Sequence, residues 1–213
     1  MVKRLFDIVF SFLGLWLSSP FFLGACLWIK LDTLGPVFYR GVRAGRNGRQ
    51  FRIFKFRTMV VDAEKVGPSS TANDDPRITR SGGFLRDYKL DELPQLINVL
   101  KGDMSLVGPR PQVLWVVDLY SKDDKAVLDV RPGIADYAFV LLPSEGEVLR
   151  GSKDPDGDYL ENIHPEKMRL SLHYVRNHSF WFDMKILVDT AVLSFFKRSL
   201  FLHETRIRSR EGQ

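Results

Sequence analysis

Two acids stand side by side in Leu-Asp-Glu-Leu-Pro, residues 90–94, and the segment they open ends on Gly108-Pro109-Arg110-Pro111. An ionised Asp91 can attack a phosphoryl group and form an acyl-phosphate. A neighbouring Glu92 can ligate Mg²⁺, which offsets the phosphate charge that would repel the attacker. Arg86 precedes the pair, and Arg110 is pinned between prolines; both suit bidentate clamping of phosphate oxygens. Gly108 permits close backbone approach. The same residues also have a plainer use. Leu93, Leu96, Ile97 and Leu100 recur at i, i+3, i+4 and i+7, which predicts one apolar face of a short helix. Asp91 would then be its N-cap, Glu92 would lie in the first turn, and Gly102 would stop it.

These residues need elements to position them. Residues 37–57 place Asn47-Gly48 between two strand-like runs, which predicts a hairpin with a two-residue turn. In its second strand Phe51, Ile53, Lys55 and Arg57 share one face, and Arg52, Phe54 and Phe56 the other. Base mixed with aromatics suits a phosphorylated ligand or lipid headgroups. It also resembles single-strand nucleic-acid platforms, or a solvated edge guarded by charge. Residues 67–83 read as loop, with Asp74-Asp75-Pro76 a turn in preference to a metal site.

Residues 5–31 are apolar apart from Asp7 and Lys30. The run is too long for a secretory signal core. As a straight helix it reaches about 40 Å, against about 30 Å of hydrocarbon. Pro20 near its middle predicts a kink, and Ser18 and Ser19 can satisfy the carbonyls it frees. Basic residues flank both ends: Lys3 and Arg4 before, Lys30, Arg40, Arg43, Arg46 and Arg49 after. That balance does not favour opposite sides for the two ends. A helix that enters, breaks at Ser19-Pro20 and returns to the same face fits both features; a bent single span and a buried soluble helix are the alternatives.

Net charge is +5, which suits anionic partners. The one cysteine, Cys26, excludes an internal disulfide. His164, His173, His178 and His203 lack zinc-ligand spacing. Arg131-Pro132-Gly133 reads as a turn, and residues 158–177 as a helix broken near His164-Pro165. Residues 180–202 are rich in large apolars but interrupted by Lys185, Asp189, Lys197 and Arg198. That pattern predicts a helix lying on a bilayer surface, with a core helix as the alternative.

Together these motifs resemble the small monotopic phosphoglycosyl transferases, bacterial sugar transferases that start lipid-linked glycan assembly. The resemblance runs from the Ser19-Pro20 helix through FKFRTM (54–59), DPRITRSGGFLR (75–86), LDELPQLINVLKGDMSLVGPRP (90–111) and RPGI (131–134) to SFWFDMKIL (179–187). It implies an α+β, mostly helical fold. Residues 1–31 would be a re-entrant helix-break-helix membrane segment. Residues 32–213 would be a cytosolic, membrane-associated catalytic domain with a short β-hairpin and interfacial helices, 180–202 among them. It implies a monotopic protein on the cytoplasmic face of the bacterial inner membrane.

The activity implied is transfer of a phosphosugar from a UDP-sugar to undecaprenyl (polyprenol) phosphate, with release of UMP. It would proceed by ping-pong through a phosphosugar on Asp91, with Glu92 as Mg²⁺ ligand and Lys55, Arg86 and Arg110 as phosphate-binding residues. Membrane lipids are the implied surroundings, and nucleic acid falls away as a partner. A non-catalytic membrane scaffold and a glycosyl transferase releasing UDP are the rival readings. The chain departs from the family pattern after RPGI, where it reads ADYAFVLLPSEGEVL (135–149), and in RLSLHYV (169–175), which lacks the relatives' aspartate. The first departure predicts an altered sugar pocket.

Overall fold

The computed structural model describes residues 2–142 and 145–194. The apolar run forms one helix, α1 (Val2–Asp32), with Pro20 inside it. Proline supplies no N–H for the carbonyl one turn back, that of Trp16. The Ser19 hydroxyl donates to that oxygen at 2.8 Å, and the Ser18 hydroxyl to the Gly14 oxygen at 2.7 Å. The expected break is therefore not an interruption of the helix; serine side chains carry it across the proline.

One stripe of α1 packs inward along its whole length: Asp7, Ser11, Ala25 and Ile29 are buried. The opposite stripe is apolar and exposed, with Leu5, Phe12, Trp16, Leu17, Leu23, Leu27 and Leu31 all more than 60% accessible.

The hairpin is built from two antiparallel pairs. β1 (Phe38–Tyr39) pairs with β4 (Lys55–Phe56), and β2 (Val42–Ala44) with β3 (Gln50–Arg52). Asn47 and Gly48 take positive φ as predicted (57° and 71°). The connection is longer than the predicted two residues, because Ala44 faces Gln50 across the ladder. The strand alternation holds, but the far end of the hairpin is no solvated edge. Phe56 is buried under α1 with Ala25, Ile29 and Leu85, and its ring lies 4.8 Å from that of Phe22.

Short helices α2 (Ala63–Val66) and α3 (Arg80–Asp87) follow. Between them the predicted turn is present; Asp75 accepts from Arg77 at 2.6 Å. Next, α4 (Gln95–Lys101) stops at Gly102, whose φ of 89° is left-handed. The predicted stripe is only partly right. Leu96 is buried, but the most enclosed residues are Gln95, Asn98 and Val99. Asn98 explains the difference. Its side-chain oxygen accepts from Phe54 N–H at 2.8 Å, and its amide donates to the Arg52 oxygen at 2.9 Å. A buried amide thus ties α4 to the hairpin, while α1 lies along the helix so that Leu96 comes up against Gly14.

β5 (Ser105–Val107) leads into Gly108-Pro109-Arg110. After α5 (Leu114–Asp118) the chain returns as β6 (Gly133–Ala135), parallel to β5. Arg131-Pro132-Gly133 is thus the lead into a strand. The close approach predicted for Gly108 is real, and its neighbour is the backbone of Arg131–Gly133.

The segment after β6 holds α6 (Tyr137–Leu141), α7 (Glu145–Val148) and α8 (Pro155–Asp158). A π-helical turn at Tyr159–Ile163 absorbs the disruption predicted at His164-Pro165 and runs into α9 (His164–Asn177). The described part of the predicted surface helix, α10 (180–194), is half core. Asp183 and Ile186 are buried against Val107 and Tyr174, while Trp181, Val188 and Val192 are exposed. Residues 195–202 of that prediction lie outside the described residues.

Candidate active site

Asp91 and Glu92 lie in a single 3₁₀ turn, Leu90–Glu92, ahead of α4. Lys89 enters the turn with a left-handed φ of 56°, a conformation that costs a non-glycine residue energy. Neither acid caps a helix: α4 begins at Gln95 behind Pro94, and no side-chain cap bond is made. The capping reading of the sequence is thereby overturned. Both carboxylates are instead turned into the protein, 6% and 8% exposed.

Two cations meet them. β4 sends Phe56 under α1, so alternation points Lys55 the other way. Its Nζ donates to Glu92 Oε1 at 2.8 Å and lies 3.9 Å from Asp91 Oδ2. From the proline-locked loop, Arg110 Nη2 donates to Glu92 Oε1, and Nη1 to Oε2 at 3.4 Å. Glu92 is therefore claimed twice and Asp91 only remotely. The Arg86 side chain, on α3, makes no hydrogen bond or ion pair among the described residues, but its charge acts on Asp91 and Asp75. The structure thus brings Lys55 and Arg110 onto the dyad directly and Arg86 at longer range. Ser19 and Pro20 stay in α1, apart from this chemistry.

The electrostatics separate the two acids. Burial pushes Asp91 above the ordinary carboxylate range; Lys55 opposes that rise and the neighbouring Glu92 adds to it. Burial also works against the Glu92 carboxylate, but Arg110 and Lys55 together hold it well below its ordinary value. Glu92 in turn raises the Arg110 guanidinium. The result is a fixed, neutralised ion cluster beside a less restrained carboxylate.

The dyad also suits a divalent cation. Mg²⁺ is commonly held by one or two carboxylates, with substrate phosphates and waters completing its shell. Glu92 Oε2 has only the long Arg110 contact, and Asp91 stands next to it. Among the described residues no three Asp, Glu, His or Cys side chains converge, so a cage made of protein alone is not offered.

Other charged residues at this site carried no motif in the sequence. Lys89 acts on Asp91, Glu92 and Glu145, and its ammonium lies 5.2 Å from the Phe139 ring centre. Lys167 on α9 pairs with Glu145 at 2.7 and 2.9 Å. Phe139 of the divergent segment therefore lies beside Lys89, and Glu145 within reach of the Lys89 and Arg110 charges. The segment's nearness to Lys89 and Arg110 could be known only after folding. The one clue in sequence was the charge density around Tyr-Lys-Leu-Asp-Glu.

Residues 1–197 match the family model described as bacterial sugar transferase. The chain is similar to the UDP-N-acetylgalactosamine-undecaprenyl-phosphate N-acetylgalactosaminephosphotransferase of Aeromonas hydrophila, 36% identical over 193 residues, covering 89% of this chain and 42% of that protein. It is 38% identical over 205 residues to the UDP-glucose:undecaprenyl-phosphate glucose-1-phosphate transferase of Escherichia coli (strain K12), covering 94% of this chain and 42% of that one. An uncharacterized sugar transferase of Bacillus subtilis (strain 168) is 35% identical over 190 residues, covering 89% and 85%. The chain thus spans about two fifths of the first two relatives and most of the third. With the dyad, Lys55, Arg86 and Arg110 all inside the matched region, this chain belongs to the bacterial sugar transferase family.

Proposed function

We propose that the protein transfers a phosphosugar from a UDP-sugar to undecaprenyl phosphate, or another polyprenol phosphate, releasing UMP. The observation that carries this reading is the asymmetry of the dyad. Glu92 is locked by Lys55 and Arg110, while Asp91 is buried, non-capping and, among the described residues, has only a 3.9 Å ion pair. The relatives' names point to the same substrates.

Asp91 attacks the phosphorus that bears the sugar. The bond from that phosphorus to the bridging oxygen breaks, and UMP leaves with the oxygen and the electron pair. A phosphosugar-aspartate remains. An oxygen of the polyprenyl phosphate then attacks the same phosphorus. The acyl-phosphate bond breaks, a polyprenyl-diphosphate-linked sugar forms, and the Asp91 carboxylate returns. Lys55, Arg86 and Arg110 stabilise the charge on the equatorial oxygens through both steps. Glu92 would hold Mg²⁺, which would add neutralisation of the diphosphate charge.

The membrane setting is part of the same reading: a monotopic protein on the cytoplasmic face of the bacterial inner membrane. Support comes from α1. Its first turn is tied to the body by Lys3, which bonds to Asp183 and to the Val107 oxygen, and its last turn by Asp32, which accepts from Ser81 N–H at 2.9 Å. A helix held at both ends by one body, with a continuous apolar outer stripe, can dip that stripe into lipid without passing a domain across.

The deciding experiment is nucleotide release. Purified protein with Mg²⁺, undecaprenyl phosphate and a panel of UDP-sugars is assayed for UMP and UDP separately. UMP that requires the lipid phosphate is expected. UDP would mean transfer of the sugar without its phosphate and would remove the nucleophile's role from Asp91. No nucleotide release with any donor would favour a scaffold.

A further inference from the structure

We propose that Arg57 is a positioning residue for the transfer: it clamps the end of α1 to the strand that carries Lys55, and so sets the reach of that ammonium to the dyad. The part in transfer rests on the phosphosugar reading; the clamp is tested without turnover. Strand β4 is two residues long, Lys55–Phe56, in a two-stranded sheet with β1. So short a pair is marginal by itself and needs anchors on either side. Upstream, Asn98 holds the Phe54 N–H. Downstream, the chain runs straight into Arg57.

Arg57 is 6% exposed, unusual burial for an arginine that makes no ion pair among the described residues. Its partners are the carbonyls just past the end of α1. Nη2 donates to the Thr33 oxygen at 2.8 Å and Nη1 to the Leu34 oxygen at 2.7 Å. Its backbone N–H donates to the Val37 oxygen at 2.8 Å, at the entrance to β1. Nε is buried without an acceptor among the described residues, which opposes folding. The rigid fork is therefore retained for its two-pronged reach. Gly35 makes the approach possible. Its φ is 123°, a conformation open to glycine, and a Cβ there would lie 2.9 Å from Arg57 Nη1.

The clamp is one side of a triangle. Asp32, the last residue of α1, accepts from the Ser81 N–H at 2.9 Å and from the Ser81 hydroxyl at 2.8 Å, which ties α1 to α3. Thr79 N–H, at the start of α3, donates to the Thr58 oxygen at 3.0 Å, which ties α3 back to the exit of β4. Phe56 fills the middle, packed with Ala25, Ile29 and Leu85. Lys55 and Arg86 stand on two sides of this frame. Lys55 is thereby held at a set distance from the helix whose outer stripe faces lipid.

The test is amine labelling of the full chain in detergent with an acylating ester, read residue by residue by mass spectrometry. Lys55 is protected while its ammonium pairs with Glu92, and the exposed Lys122 sets the reference rate. Arg57→Met should raise Lys55 labelling about tenfold relative to Lys122, the worth of one charged hydrogen bond. Arg57→Lys keeps the charge and can reach one of the two carbonyls, so the rise should be about threefold. Gly35→Ala should act like Arg57→Met without altering the arginine. Asp183→Ala, which releases Lys3 at the opposite end of α1, should leave Lys55 labelling within about twofold. In the UMP assay Arg57→Met should move the acid limb in the same direction as Lys55→Met, and the double variant should move it no further.

Unchanged Lys55 labelling in Arg57→Met and Gly35→Ala would reduce Arg57 to a cap on α1 and overturn the proposal. An equal rise in Asp183→Ala would overturn it too, because lost stability alone would then free Lys55. Shifts of the acid limb that add in the double variant would show Arg57 acting by a route other than Lys55. If Arg57→Met does not fold, Arg57→Lys and Gly35→Ala decide. The expected labelling in a protein that releases no UMP would refute the transfer reaction and leave the clamp standing. UMP release with unchanged labelling would do the reverse.

Discussion

Asp91 and Glu92 are the same chemical group one residue apart, and their surroundings differ. Lys55 and Arg110 converge on Glu92; among the described residues Asp91 makes one ion pair, to Lys55 at 3.9 Å, with Arg86 and Lys89 acting from farther away. Asp91→Asn should therefore abolish transfer, by about 10⁴-fold or more, as loss of a covalent nucleophile does elsewhere. The expected readout is absence of both UMP and the covalent phosphosugar adduct, with the fold intact by circular dichroism. The pH profile carries a sign that can be worked out. As the proposed nucleophile Asp91 would attack only when ionised, and burial raises its pKa. Activity should thus fall on acidification at a pH above the ordinary aspartate value of about 3.9. Lys55→Met removes the cation that most opposes the rise, so the acid limb should move to higher pH. A limb that stays put in that variant would separate Lys55 from the nucleophile. The pair was visible in sequence as a candidate, with helix capping as its plainer use, and the nucleophile's role came only from the resemblance. The difference between their surroundings could not be read there, because it depends on which acid two distant cations choose.

At the level of elements, the site depends on polar residues that a hydrophobic pattern passes over. Asn98 holds the hairpin that carries Lys55 to the helix that follows the dyad, through bonds to Phe54 N–H and the Arg52 carbonyl. Asn98→Ala should lower unfolding stability by about 2–3 kcal/mol, since a buried backbone donor and acceptor are left unpaired; denaturant unfolding in detergent measures it. Activity should fall with it, because Lys55 would lose its register. Gly133→Ala should be worse, above about 3 kcal/mol, because a Cβ there meets the Gly108 backbone, which cannot move without shifting Arg110. The stop at Gly102, the positive φ at Asn47 and Gly48, and the turn at Asp75 were all legible, since each is decided within a few residues. The buried face of α4 was misread because α1, far away in sequence, half covers the stripe that periodicity assigned to the core.

The whole molecule is organised around α1, which touches the hairpin, α3, α4, β5 and α10 along one stripe. Residues 2 and 40 should label from the same face of sealed vesicles; opposite faces would rule out the monotopic arrangement. Asp183→Ala should cost about 2–3 kcal/mol, because it removes the partner of Lys3 and Tyr174 at a buried junction. It should also loosen the start of α1, read as faster hydrogen exchange there. Sequence alone determined the family, the mostly helical class and the long apolar helix, because each of these is written in contiguous residues or in short motifs. Tertiary structure alone decided that the helix continues through Pro20, that Lys55 and Arg110 close on Glu92 and leave Asp91 less restrained, and that Phe139 comes beside Lys89. Those outcomes depend on which distant surfaces meet. No local spacing records that, since burial and ion pairing are properties of the packed chain.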